Sequence, residues 1–352
     1  MAAGPTWPTV LTAVLSGRDL APSEATWAWR RIMNGEASPA QLAAFVVALR
    51  AKGVTVDELT AIAEEMLAHA RPIVVPGPTL DIVGTGGDGS HSVNISTMAA
   101  LVCAGAGATV VKHGNRAASS SSGTADVLEE LGVVLDLSPD QVAEVARTAG
   151  MTFCFAQVFH PAMRHAAGPR RDLGIPTVFN ILGPLTNPAR PSHAAIGVAD
   201  PALAPLVAGV FAARGKDTAV LRGDDGLDEL TISTTSRVWW VRGGSVREYV
   251  VDPETLGVPV SPLSSLRGGS PAENAQVVRE VLSGRVGPIR DAVVLNAGLA
   301  LAVMGPSSGS DQGAFVRDLR QGMDRAEASI DTGSAADSLE RWRSATCGYR
   351  AG

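Results

Sequence analysis

The chain is predicted to be an α/β protein: a small all-helical N-terminal domain followed by a large α/β domain with a mostly parallel central sheet. Three observations predict this. Residues up to about 76 carry only helical apolar periodicity. From residue 77 onward, short β-branched runs alternate with helical patterns, as expected for a parallel sheet covered by helices. The length of 352 residues exceeds what one small core needs. The alternation lapses over residues 160–188, which are helical and turn-rich and read as a crossing back to the first domain. The expected division is 1–76, completed by about 161–183, as the helical domain, with 77–160 and 184–352 forming the α/β domain.

In the first domain, SPAQLAAFVVALRAKG opens with Ser38 as N-cap, Pro39 at the first helical position and Gln41 closing a capping box. Leu42, Phe45, Val46 and Leu49 then form one apolar stripe, and Gly53 ends it. Thr55 and Glu58 repeat the device for a stripe of Leu59, Ile62, Met66 and Leu67, up to Arg71-Pro72. The second domain begins with a strand at Leu80 to Val83, then the glycine loop GTGGDG (84–89) and a helix starting near NIST (94–97). A strand, TVVK, leads into KHGNRAASSSSGTAD (112–126), followed by a helix at DVLEELG and an expected strand at VVLDL (133–137). The stretch VSPLSSLRGGSP (260–271) reads as a surface loop.

Composition narrows the function. With 45% hydrophobic and 18% charged residues the chain is an ordinary globular protein. A net charge of −6 argues against nucleic acid or an anionic membrane as partner, since both require a basic face. Cys103, Cys154 and Cys347 are widely spaced in apolar surroundings, giving neither a disulfide framework nor a metal cluster. MAAGPTWPTVLTAVLSGRDL lacks a basic n-region and no apolar run reaches 18 residues, so a cytoplasmic location is expected.

Three motifs point to chemistry. Glycines after a strand let backbone N–H groups approach a pyrophosphate, although GTGGDG is neither the dinucleotide fingerprint nor a P-loop and also fits a tight turn. Asn94, Ser96 and Thr97 suit helix caps and phosphate or metal ligands alike. In the second motif Lys112, His113 and Arg116 stand beside a run of small donors, an arrangement suited to cradling an anion. The third, GDDGLDEL (223–230), follows the strand TAVL; Asp228-Glu229 offers the hard oxygen ligands Mg²⁺ prefers, whereas Asp224-Asp225-Gly226 reads as a plain acidic turn. No Thr-Gly-rich phosphate loop follows, so phosphates fall to residues 84–123.

GTGGD, NIST, KHGNRAASSSSGTADVLEELG, HPAMRHAAGPRRDLGIPTVFNILGPLTNP and GDDGLDEL, in this order, make the chain resemble the anthranilate phosphoribosyltransferases over nearly its whole length. The resemblance implies a nucleoside phosphorylase/phosphoribosyltransferase-like fold, a homodimer joined through the helical domains, and transfer of phosphoribosyl from phosphoribosyl pyrophosphate to anthranilate in tryptophan biosynthesis. It assigns phosphoribosyl pyrophosphate to Gly84, Gly86, Gly87, Asp88, Asn94, Ser96, Thr97, Lys112, Asn115, Ser119, Ser120, Ser121 and Gly123. It assigns two Mg²⁺ per subunit to Ser96, Asp228 and Glu229, and anthranilate to Gly84, His113, Asn115 and Arg170. The chain departs from the family at 91–93, where His-Ser-Val replaces the usual Thr-Phe before NIST, and at Met163, a position often aromatic. Two alternatives are a pyrimidine nucleoside phosphorylase-like enzyme, which would not need the Asp228-Glu229 pair, and a non-catalytic nucleic-acid-binding relative, which would carry a basic stripe.

Overall fold

The computed structural model describes residues 4–116 and 122–349. Helices α1 (Trp7–Leu15), α2 (Pro22–Met33), α3 (Pro39–Lys52) and α4 (Val56–Ala68) open the chain. Both expected capping boxes form. The Gln41 N–H donates to the Ser38 hydroxyl while the Gln41 side chain accepts from the Ser38 N–H, and Thr55 and Glu58 do the same. The two predicted stripes are buried along their length. Glu58 also ties the bundle together, accepting from the Leu20 N–H at 2.8 Å and pairing with Lys52 at 2.9 Å.

Strands and helices then alternate: β1 (Thr79–Gly84), α5 (Ile95–Gly105), β2 (Thr109–Gly114), α6 (Thr124–Glu130), α7 (Pro139–Ala149), β3 (Met151–Phe155). The strand expected at 133–137 does not form. Val133, Leu135 and Leu137 are buried, but the Val134 N–H donates to the Thr346 hydroxyl at 3.1 Å and not to a neighbouring strand, and β3 takes the sheet position. Alternating burial alone does not distinguish an extended core segment from a paired strand.

The turn-rich segment holds α8 (Ala156–Phe159), α9 (Arg164–Leu173) and α10 (Phe179–Leu185). Then come β4 (His193–Gly197), α11 (Ala204–Ala213), β5 (Asp217–Gly223), β6 (Ser236–Arg242), β7 (Ser245–Val251), α12 (Pro271–Leu282), α13 (Pro288–Met304), α14 (Gln312–Asp331) and α15 (Ser334–Cys347). No helix among the described residues is long and apolar enough to cross a membrane.

The strands form one sheet in the order β3-β2-β1-β4-β5-β6-β7. The first five run parallel, and β6 and β7 add an antiparallel edge. One face, with Ala195, Ala219 and Leu221, packs in a core with α5 and α13. The other, with Ala194, Ile196, Val220 and Trp239, shares a core with α11, the buried residues of α1 to α4, and Ala166, Phe179, Ile181 and Leu182 of the returning helices. Chain order reverses between β1 and β4, and there the carboxyl ends of the parallel strands leave a crevice.

Residues 260–271 are more than a surface loop. Leu266 is wholly buried, and the segment runs antiparallel to 91–93: the Val93 N–H donates to the Leu266 carbonyl and the Gly268 N–H to the His91 carbonyl, both at 2.8 Å.

Candidate active site

A cleft of about 670 Å³ opens at this crevice. Its floor is the turn from β1 toward α5. Gly86 and Gly87 adopt φ of 67° and 84°, the left-handed region open to glycine at no steric cost. The Gly86 N–H donates to Asp228 Oδ2 at 2.7 Å. Asp228 reaches this loop because β1 and β4 pair through Gly84 and Gly197. A Cβ on Gly84 would lie 2.2 Å from Asp228 Oδ2, and one on Gly197 only 1.5 Å from the Asp228 carbonyl oxygen. Two strand-end glycines thus make room for the acidic turn that follows β5.

The turn itself divides as its residues suggest. Asp225 accepts from the Thr231 hydroxyl at 2.6 Å and Asp224 from the Thr235 hydroxyl at 2.6 Å, so both shape the turn. Asp228 and Glu229 face the cleft with Asp88, and the three can present oxygens within 4.8 Å of one another. Burial, followed by repulsion from Asp88, pushes the Asp228 carboxyl up to about 6. Burial, then repulsion from Asp228 and Asp88, pushes Glu229 well above the ordinary carboxylate range, and its Oε2 is buried without a hydrogen-bond partner. Crowded, dehydrated carboxylates with an orphaned oxygen fit a divalent cation.

Lys112, wholly buried near the end of β2, donates to the Ile82 carbonyl and lies 3.3 Å from Ser96 Oγ. Burial brings its ammonium down to about 8, against the opposing pull of Asp81, Glu229 and Asp228. Asp81 holds the neighbouring backbone in place: it accepts from the His113 N–H at 3.0 Å and from Asn187 Nδ2 at 2.8 Å. Ser96 turns its side toward the cleft from the first turn of α5. Thr97, about 100° further round the helix, points into the core, wholly buried, absent from the cleft lining and with its hydroxyl unpartnered. Of the two hydroxyls expected at the phosphate surface, Ser96 thus faces the cleft and Thr97 the core.

The opposite wall comes from β2 and the returning helices. The His113 ring donates through Nδ1 to the Gly183 carbonyl at 2.9 Å, leaving Nε2 buried without a partner. His160 lies beside it, ring centroids 5.2 Å apart, and its Nε2 is likewise unpartnered. Burial holds His113 down to about 3 and His160 down to about 4, so both are neutral imidazoles at pH 7. Arg170 on α9 lies over the Phe179 ring at 4.9 Å, its pKa lowered by burial.

Gly84, Gly86, Gly87, Asp88, Asn94, Ser96, Lys112, His113, Asn115, Gly123, Arg170, Asp228 and Glu229 all line this one cleft. Ser119, Ser120 and Ser121 lie outside the described residues. Arg116 also lines the cleft, paired with Glu129 at 2.6 Å and Asp126 at 3.0 Å. Sequence reasoning missed His160 and Phe179. The only local sign of His160 is its place before Pro161 at the entry to the turn-rich segment, and its value depends on meeting His113, which is far from it along the chain.

Comparisons with known proteins agree with this architecture. Residues 8–70 match the family described as glycosyl transferase family, helical bundle domain, and residues 76–336 match its a/b domain. An anthranilate phosphoribosyltransferase from a Nocardioides species is 59% identical over 342 residues, covering 97% of this chain and 99% of that protein. The crystal structure of the Thermus thermophilus enzyme of the same name superposes with a TM-score of 0.88 at 42% identity, covering 96% of this chain and 99% of its own. The Saccharomyces cerevisiae enzyme, solved in complex with PRPP and Mg, gives 0.86 at 29% identity over 97% and 98% of the two chains. Matches that run the length of both chains, on a cleft whose walls carry the expected motifs, leave one assignment: the chain belongs to the anthranilate phosphoribosyltransferase family.

Proposed function

We propose that the protein transfers the phosphoribosyl group of phosphoribosyl pyrophosphate to the amine of anthranilate, releasing pyrophosphate, in tryptophan biosynthesis. The observation that carries this reading is the trio Asp88, Asp228 and Glu229, gathered beside a glycine loop and Lys112. These residues, with Ser96, would hold Mg²⁺, two per subunit. Bound there, Mg²⁺ supplies stabilisation of the charge that develops on the departing pyrophosphate.

The chain's own groups do the rest. The glycine loop, the start of α5, Asn115 and the Lys112 ammonium receive the pyrophosphate, and the ammonium is pre-dehydrated, so its attraction for an anion is strong. No protein nucleophile takes part: the anthranilate amine bonds to C1 of the ribose as the C1–O bond to pyrophosphate breaks, and the amine then gives up a proton. The aromatic amine is neutral at pH 7 and needs no strong base, so the opposite wall serves to position it. Arg170, braced on Phe179, pairs with the anthranilate carboxylate in a bidentate fork. His113 and His160 offer neutral nitrogens near the amine side, unable to repel the developing positive charge as imidazolium ions would.

A cytoplasmic homodimer completes the proposal, its contact built on the helical bundle. Leu15 there is 76% exposed and Val47 37%, apolar surface that a partner subunit would cover. The test of the function is direct. Protein, Mg²⁺, phosphoribosyl pyrophosphate and anthranilate are mixed and the loss of anthranilate fluorescence followed. No loss with these substrates, alongside phosphorolysis of pyrimidine nucleosides, would overturn the reading in favour of a phosphorylase.

A further inference from the structure

Asn274 lies on the first turn of α12, 2% exposed and outside the cleft lining, yet its amide is joined to the site. Its Oδ1 accepts from the Gly269 N–H at 2.8 Å. Its Nδ2 donates to Asn94 Oδ1 at 2.9 Å, and Asn94 Nδ2 in turn donates toward the Ser122 carbonyl at 3.5 Å. The chain of bonds begins at a backbone N–H, which can only donate, and ends at a backbone carbonyl, which can only accept. Neither amide can be turned over without setting donor against donor or oxygen against oxygen, so the orientation of both is fixed.

The consequence falls on Asn94. It occupies the N-cap position of α5 but makes no side-chain cap bond, so the helix does not orient its amide. Asn274 does, by occupying Asn94 Oδ1. What remains to face the cleft and the end of the loop at Ser122 is the NH₂ group. A pyrophosphate offers acceptors only, so an Asn94 turned the other way would present oxygen to oxygen.

We infer that Asn274 is a positioning residue for the phosphoribosyl pyrophosphate site, holding the Asn94 amide with its donor toward the ligand. This rests on the proposal that Asn94 contacts that substrate. The packing around it is tight: a Cβ on Gly268 would lie 2.9 Å from Asn274 Oδ1. The antiparallel contact of 266–268 with 91–93 carries α12 to the same place, so the segment after β7 is part of the substrate frame.

The isosteric variant Asn274→Asp tests the role. Its carboxylate still accepts from the Gly269 N–H but cannot donate to Asn94 Oδ1, so the Asn94 amide rotates. The expected result is a rise of about tenfold in KM for phosphoribosyl pyrophosphate, with KM for anthranilate within about twofold, since one contact to a charged group is lost. Asn274→Ala, which adds no charge, raises the same constant by a smaller factor. In an Asn94→Ala background the effect of Asn274→Asp vanishes, whereas simple repulsion of the ligand by the new carboxylate would persist. Both constants rising together, or an undiminished effect in that background, would overturn the inference. Should Asn274→Asp melt below the assay temperature, the same cycle run with Asn274→Ala decides. If Asn94→Ala leaves KM for phosphoribosyl pyrophosphate unchanged, the assignment of Asn94 fails. If Asn94→Ala raises it and neither Asn274 variant does, only the role of Asn274 fails.

Discussion

On one wall of the cleft Asp228 is 7% exposed and Glu229 carries an oxygen with no partner; on the other His113 is 3% exposed and carries a nitrogen with no partner. Loss of water acts on both walls, with opposite outcomes. An imidazole escapes the cost of burial by giving up its proton and remains a neutral, ordered group at pH 7. Carboxylates must gain protons to escape, and with Asp88 close by they sit under mutual repulsion that a cation would relieve. The two walls therefore differ in what they present. The acidic wall offers oxygens gathered closely enough for a cation, and the histidine wall offers neutral ring nitrogens and the Arg170 guanidinium above Phe179.

The largest effect should come from removing the charge on the acidic wall. Asp228→Asn with Glu229→Gln is expected to lower turnover by roughly 10² or more, with the loss worst at low Mg²⁺. Melting without ligand should be unchanged or improved, and near-normal turnover at limiting Mg²⁺ would show that the turn does not hold the metal. On the other wall, Arg170→Ala should raise KM for anthranilate by about tenfold or more while KM for phosphoribosyl pyrophosphate stays within about twofold. Equal changes in both constants would mean that the walls are not separate in function.

Acidity should separate the walls more gently. Asp228 needs to be ionised to hold a cation, so the apparent affinity for Mg²⁺ should fall as pH drops through about 6. His113 and His160 stay neutral down to about pH 4, so KM for anthranilate measured at saturating Mg²⁺ and phosphoribosyl pyrophosphate should be flat between about pH 5 and 8. Titration of both constants over that range is the check, and parallel changes would erase the distinction.

The smallest effect is on stability. The folded pKa of Asp228 is raised, so its contribution is fully present below the unfolded value near 4 and is lost as pH rises through about 6. Asp228→Asn has no such dependence. Without ligand its melting temperature should exceed that of the parent by about 2 °C at pH 7.5 and converge with it near pH 4. A constant difference at both pH values would place the strain elsewhere.

The contrast between the walls also marks how far the residues could be read in order along the chain. Ser38 with Gln41 and Thr55 with Glu58 cap their helices through contacts three positions apart, and GTGGDG turns where its glycines permit left-handed backbone. Asp224-Asp225 reads as a plain acidic turn beside the Asp228-Glu229 pair, and the structure ties the former to hydroxyls of the following segment, Thr235 and Thr231. The caps and the glycine turn are local, so composition and spacing encode them. Val133 to Leu137 marks the limit, because burial pattern there was the same for a strand and for a packed extended segment, and only a distant Thr346 decided between them.

What the sequence by itself determined is the order of α/β elements, the two capped helices, the glycine loop and the residue types of an anion and metal site. What only the tertiary structure decided is which of them meet: Asp228 with the Gly86 N–H, His113 with His160, Asn274 with Asn94, and Thr97 turned to the core while Ser96 faces the cleft. The three contacts join positions far apart along the chain, and they depend on the pairing of β1 with β4 through Gly84 and Gly197 and on the packing of helices across the sheet. Backbone preference acts over a few residues, whereas close packing acts between whichever surfaces the fold brings together.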